Sequence, residues 1–330
     1  TIVTDADGAA QKIICSSLRS VCPSLCILAE ESRQEVEDGC TNAMRDFFDI
    51  MTPNSRRRLL TDEILEEDAI SAQIREEVYE RLRESENKSN LNDNEKEFNN
   101  LQLEVEASRV IAVVDPLDGS SAYARGHYEA VTILVGIVVD NVPIFGVICK
   151  PFGQIGFQSY RNTGCFAVYG GSLLHGAFVV GGKELETSRM ARLGISSKTL
   201  LSERKAIISK SRSGGVVQKC ISSLSELGLL SRTPVFVTGA GLKALRLLLG
   251  SGDETLWFFP KPGTSLWDVA AADALLRVIG GKLSDKYGKD LDYSKPRVEA
   301  QNLDGIIACN DDSLHKKCMQ LFFEENWDDE

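Results

Sequence analysis

The sequence contains no apolar run long enough to span a bilayer and no signal-peptide pattern. A membrane-spanning or exported chain is therefore not expected, and a cytoplasmic setting is. It also lacks a long basic stripe. With 37 Lys and Arg against 48 Asp and Glu, the formal net charge is −11. Sequence-independent nucleic-acid binding and membrane-surface binding are thus not expected. Arg56-Arg57-Arg58 is the densest basic run and reads as a solvated turn. Nine cysteines, at 15, 22, 26, 40, 149, 165, 220, 309 and 318, include no CxxC pair. Cys22 and Cys26 have no second ligand pair at zinc-site spacing, so free thiols in a reducing compartment fit best. No internal repeat appears, and only one polar stretch is low in hydrophobic residues.

At 330 residues, with 43% hydrophobic and 26% charged, the chain can bury a sizeable core in two parts. The chain opens on Thr1 rather than Met and begins inside a motif, so a partial sequence is expected. Residues 9–21 carry an apolar face at helical spacing that stops at Pro23, and "SLCIL" reads as a strand leading into Glu30-Glu31. Composition shifts from 53 to 107. There Ile70, Ile74, Val78 and Leu82 mark an amphipathic helix, and a polar run from 86 to 100 reads as a surface insertion or lid. "RVIAVV" (109–114) reads as a buried strand. Two hairpins are expected next, one turning at Asp140-Asn141 and one pairing "IGFQSY" with "CFAVYG". Beyond them "KAIISKS", a helix near 216–229, "PVFVTG", a helix near 241–249, "TLWFFP" and a helix at 269–279 alternate. That alternation implies a second, more parallel α/β layer.

The stretch "VVDPLDGSSAY" (113–123) carries the chemistry. Asp115 and Asp118 flank Pro116-Leu117 at a strand end, and Pro116 helps turn the chain sharply. Such a turn can direct both carboxylates and the Leu117 carbonyl to one point, the oxygen set that hard divalent ions want. Backbone N–H groups of Gly119, Ser120 and Ser121 can cradle a phosphate. An ordinary acidic turn remains open on this motif alone. Asp268 sits where a helix begins, a position that also suits an N-cap. Glu30 follows a strand and Asp7 precedes a helix; each alone reads as a capping or surface acid.

Taken together, in this order, the four segments resemble the inositol monophosphatase and fructose-1,6-bisphosphatase superfamily. The matching residues are Thr4-Asp5-Ala6-Asp7, Ala29-Glu30-Glu31, Asp115 through Ser121, and Trp267-Asp268-Val269-Ala270-Ala271 with Gly280-Gly281. The flanks "TDADGAAQKIICSSL", "TGAGLKAL" and "GGKLSDKYGKDLDY" are most similar to the 3'(2'),5'-bisphosphate nucleotidases within it. The resemblance runs from Thr1 to about Asn310 and is weakest across 33–108.

The resemblance implies an α/β (α+β) fold, a layered α-β-α-β-α sandwich. Its metal-binding part would span 1–170, with the 53–107 insertion, and a second part, 171–330, would supply Asp268. It implies two to three Mg²⁺ ions, held by Glu30, Asp115, the Leu117 carbonyl, Asp118 and Asp268. Asp7 and Ser120 would orient and deprotonate an attacking water, while Gly119, Ser120 and Ser121 grip the phosphate. Ser211, Arg212 and Lys243 would stand near a nucleotide. The implied reaction is lithium-sensitive removal of the 3'-phosphate from 3'-phosphoadenosine 5'-phosphate. An inositol 1,4-bisphosphate substrate, a non-catalytic relative and a fructose bisphosphatase are the alternatives. Two departures stand out. Ala29 replaces a family glycine, and Ser211-Arg212-Ser213 stands where nucleotidases usually carry Ser-His-Ser.

Overall fold

The computed structural model describes residues 4–32, 105–152, 165–181, 191–192, 200–209, 213–249 and 253–326. The helix through Ile70 to Leu82, the arm 155–160, and Ser211 and Arg212 lie outside them.

Alternating apolar residues build the first sheet. Along Thr132–Val139 every second side chain is fully buried, the period of a strand with one face on a core. Seven strands line up in chain order: β1 (Cys26–Ala29), β2 (Val110–Asp118), β3 (Thr132–Val139), β4 (Val142–Lys150), β5 (Phe166–Gly171), β6 (Gly176–Gly181) and β7 (Ala191–Arg192). β1 lies parallel to β2 and every later pair is antiparallel. The Asp140-Asn141 hairpin forms as its sequence dictates, with φ of 48° and 67° at the two turn residues. The first arm of the second expected hairpin, 155–160, lies outside the described residues; β5, which overlaps "CFAVYG", pairs along its whole length with β4 on one side and β6 on the other. The sheet also continues past residue 170 to Arg192.

The second sheet runs β11 (Lys282–Ser284), β12 (Ile306–Cys309), β10 (Glu254–Phe259), β8 (Lys205–Ile208), β9 (Val235–Phe236). β8 is parallel to β9 and β10, whereas β12 is antiparallel to β10 and β11. The sheet is mixed, only in part the parallel layer expected. Six helices complete the described residues: α1 (Asp5–Val21), α2 (Ser120–Tyr123), α3 (Val216–Glu226), α4 (Ala240–Leu249), α5 (Leu266–Val278) and α6 (Asp312–Glu324). α3 ends before the expected 229 because Gly228, at φ 69°, takes the left-handed stop.

β10 shows how the layers share one strand between two cores. Trp257 and Phe259 point into a core with α4, α5 and the first sheet. Leu256 and Phe258 point the other way, onto α3 and α6. With α1 packed on β2, the order is α-β-α-β-α. α5 is apolar nearly all round, as a helix buried between two sheets must be. It approaches β3 and β4 closely because Gly136 and Gly146 carry no side chain there. A Cβ on Gly146 would lie 2.3 Å from the Ala271 carbonyl oxygen.

Gly146→Ala is therefore expected to destabilise the fold by about 1–3 kcal/mol through overpacking. Urea unfolding measures this, and an unchanged midpoint would contradict the α5 packing.

Candidate active site

The C-terminal end of β2 is where strand becomes turn. The ladder to β3 slips between Asp115 and Asp118, so both acids come off one strand end in quick succession. Both are buried, at 1% and 7% exposure. The Leu117 N–H donates to Asp115 Oδ1 at 3.1 Å. Gly119 follows at φ 90°, and a Cβ there would stand 3.1 Å from the Ala130 carbonyl oxygen. Only glycine takes that conformation without strain. α2, a single turn carrying Ser120 and Ser121, starts directly behind it.

Asp118 faces the second half of the chain. Its Oδ1 accepts the Ala240 N–H at 3.1 Å, and its Oδ2 accepts the Gly241 N–H and the Thr132 hydroxyl, each at 2.8 Å. The first N–H groups of α4 have no partner within the helix, so a carboxylate is well placed to receive them.

Asp268 arrives on α5. The sequence suggested an N-cap, but Ser265 caps the helix and Asp268 occupies the third helical position. Its Oδ2 accepts the Ser265 N–H at 2.6 Å, the carboxylate half of a capping box. Asp7 is built the same way in α1, accepting the Thr4 N–H on Oδ2 at 2.7 Å, rather than preceding the helix. Asp7 Oδ1 accepts the Ser120 hydroxyl at 2.7 Å, while the Leu117 carbonyl lies 3.0 Å from the same hydroxyl. One hydroxyl has one proton, so Ser120 serves only one of these acceptors at a time.

Oxygens of Asp115, Asp118 and Asp268 all lie within 4.8 Å of one another. Glu30 joins them, since its N–H donates to the Val114 carbonyl at 3.1 Å beside β2, and its carboxyl hydrogen-bonds Asp115. Burial, then the charge of Asp268, raises the Glu30 pKa to about 8, with Glu31 and Asp118 adding to it. Burial, then Asp118, Glu30 and Asp268, pushes Asp115 well above the usual carboxylate range. A hard divalent cation fits this donor set, because it supplies the charge that would let all four carboxylates ionise together.

Two supports were not visible in the sequence. The Gln11 amide donates to the Glu31 carbonyl at 2.8 Å and accepts the Glu31 N–H at 3.0 Å, fixing the residue after Glu30 against α1. Arg297 Nε donates to the Glu30 carbonyl at 2.8 Å. Its neighbours Ala300 and Asn302 accept from Leu266 and donate to Thr264 at the entrance to α5. The 297–302 segment thus ties Glu30 to the helix that bears Asp268. Lys243 is 5% exposed, with Nζ donating to the Gly239 carbonyl at 2.9 Å and lying 5.4 Å from the Trp257 ring centre.

The inositol monophosphatase family model matches residues 1–322. The chain belongs to that family. It is 30% identical over 199 residues to mouse 3'(2'),5'-bisphosphate nucleotidase 1, covering 60% of this chain and 57% of the mouse protein. The human protein of that name is 28% identical over 309 residues, 92% of this chain and 78% of its own length. Among solved structures, a calcium-bound family protein from Staphylococcus aureus gives a TM-score of 0.53 at 13% identity, covering 98% of this chain and 82% of that one. A 2'AMP-bound SaIMPase-II gives 0.54 at 15%, covering 99% and 86%. These likenesses show the shared fold.

A pH dependence follows. Without divalent ions the folded chain keeps a Glu30 proton up to about pH 8, while the unfolded chain loses it near its ordinary 4.5. The folded state then binds more protons within that window, so this group makes stability fall as pH rises through it. Melting curves in chelator between pH 5 and 8 are expected to show that fall, and Glu30→Gln to flatten it. An equally steep fall in the variant would contradict the Glu30 shift.

Proposed function

We propose that this chain is a Mg²⁺-dependent phosphomonoesterase that removes the 3'-phosphate of 3'-phosphoadenosine 5'-phosphate, giving AMP and phosphate. The observation that carries this reading is the three-carboxylate cluster within 4.8 Å, set beside the Gly119 turn and the Ser120–Asp7 hydrogen bond. The names of the mouse and human relatives direct it to a nucleotide bisphosphate.

Glu30, Asp115, the Leu117 carbonyl, Asp118 and Asp268 would hold the cations. Bound there, Mg²⁺ supplies neutralisation of phosphate charge and a lowered pKa for water. Gly119, Ser120 and Ser121 orient the phosphate through backbone N–H groups at the start of the turn. Asp7 accepts the Ser120 proton, which leaves the Ser120 oxygen able to accept one from a water aligned for in-line attack. The burial of Asp7, at 0% exposure, keeps that hydrogen bond out of competition with bulk solvent. Lys243, with Ser211 and Arg212, would meet the nucleotide. An inositol bisphosphate is the second reading; a zebrafish relative, 29% identical, is named inositol monophosphatase 3, which directs it to inositol phosphates in general. The free thiols of the eight described cysteines favour a reducing, cytoplasmic setting.

Phosphate release from both substrates, with Mg²⁺ present, tests the reading. Release from the nucleotide is expected, and release from the inositol bisphosphate alone would refute the nucleotide preference. Asp115→Asn, which removes one of the carboxylates proposed to hold the cations, is expected to lower kcat at least about a hundredfold. Wild-type turnover in that variant would refute its role.

A further inference from the structure

Thr132 opens β3 directly opposite Asp118 in the β2–β3 ladder. Side chains paired across a ladder in this way stand within reach of each other. Thr132 is fully buried, and its hydroxyl donates to Asp118 Oδ2 at 2.8 Å. The Ala240 and Gly241 N–H groups approach the same carboxylate from α4. Asp118 is thus gripped from two elements at once, which keeps it from turning about its Cβ–Cγ bond.

This grip makes the two Asp118 oxygens unequal. A carboxylate offers about four lone pairs, shared equally between its oxygens. Oδ2 accepts both the Thr132 hydroxyl and the Gly241 N–H, so its lone pairs are spent. Among the described residues Oδ1 accepts the Ala240 N–H alone, at 3.1 Å, and keeps one lone pair. Packing closes off Oδ2 as well. A Cβ on Gly239 would stand 3.0 Å from it, and one on Gly241 would stand 2.2 Å from the Thr132 hydroxyl oxygen. The backbone of 239–241 covers this side of the carboxylate, so the oxygen left open is Oδ1.

We propose that Thr132 is a positioning residue that weights the cation site toward Mg²⁺ and against Ca²⁺, by holding Asp118 to a single ligand oxygen, Oδ1. The proposal rests on the cation site put forward above and says how that site discriminates. Mg²⁺ demands near-ideal octahedral geometry, which the narrow bite of a two-oxygen carboxylate spoils. Ca²⁺ is larger, flexible in coordination, and takes carboxylates through one oxygen or both. A carboxylate with one oxygen sealed by donors suits the first ion and denies the second its two-oxygen mode. The Thr132 hydroxyl gives its one proton to Asp118 and acts through that carboxylate. Residues that orient a metal ligand in this way commonly carry a tenth or more of its effect on affinity.

The test titrates the purified full chain calorimetrically with Mg²⁺ and, separately, with Ca²⁺. Wild type is compared with Thr132→Val and Thr132→Ala, which lose the hydroxyl, and with Thr132→Ser, which keeps it. Circular dichroism in chelator shows which variants are folded. Thr132→Val is expected to weaken Mg²⁺ binding about ten- to hundredfold and to shift the ratio of the two dissociation constants at least about tenfold toward Ca²⁺. Thr132→Ala is expected to do the same, so one folded variant of the two suffices. Thr132→Ser is expected to keep the wild-type ratio. An unchanged ratio in folded Thr132→Val or Thr132→Ala would overturn the proposal and leave the cation site standing. So would a shift in Thr132→Ser as large as that in Thr132→Val. If wild type binds neither ion saturably, the cation site falls and the proposal falls with it.

Discussion

The carboxylate of Asp118 is the junction on which the rest of the structure depends. It leaves the end of β2, reaches across to the first turn of α4, and accepts two backbone N–H groups there along with the Thr132 hydroxyl. α4 lies between the two sheets, so this one side chain fixes the second half of the chain against the first. The same carboxylate supplies an oxygen to the acidic cluster. Hydrogen bonds to a buried charge are among the stronger ones, and leaving such a charge unpaired is costly. Loss of Asp118 would therefore disturb the fold and the site together.

A second economy recurs in the helix starts. Asp7 and Asp268 are both third residues of helices, each binding the backbone N–H three positions earlier. A side chain held by its own helix loses little further freedom on meeting a ligand. Asp7 shows the consequence directly, since one oxygen holds the helix start and the other receives Ser120. The cost of the arrangement is electrostatic. Four carboxylates share a buried corner, and their repulsion with burial raises Glu30 and Asp115 together. A site of this kind is built for cations, and without them it holds protons instead.

How much of this was legible in the sequence depends on separation along the chain. Asp115, Leu117, Asp118, Gly119 and Ser120 were readable because strand end, turn and helix start are contiguous. The Asp140-Asn141 hairpin was readable for the same reason. Asp268 was found but placed at the wrong helical position, because Ser265, itself a good cap, lay unnoticed three residues earlier. Arg297 was invisible because its partner, Glu30, is 267 positions away and nothing in "SKPRVEA" signals a contact. Gln11 was masked by an ordinary helical face. For "CFAVYG" the sequence did not reveal that both edges of β5 go to β4 and β6. β6 and β12 were not among the strands read from the sequence.

The central claim is that Asp115, Asp118, Asp268 and Glu30 form a divalent-cation site whose carboxylates need a cation to ionise together. Isothermal titration of the purified chain with Mg²⁺ at pH 7 tests it most directly. Saturable binding is predicted, accompanied by proton release that scales with the ionisation enthalpy of the buffer, and Asp115→Asn should weaken it strongly. Absence of binding, or binding with the same affinity and proton release in Asp115→Asn, would contradict the account.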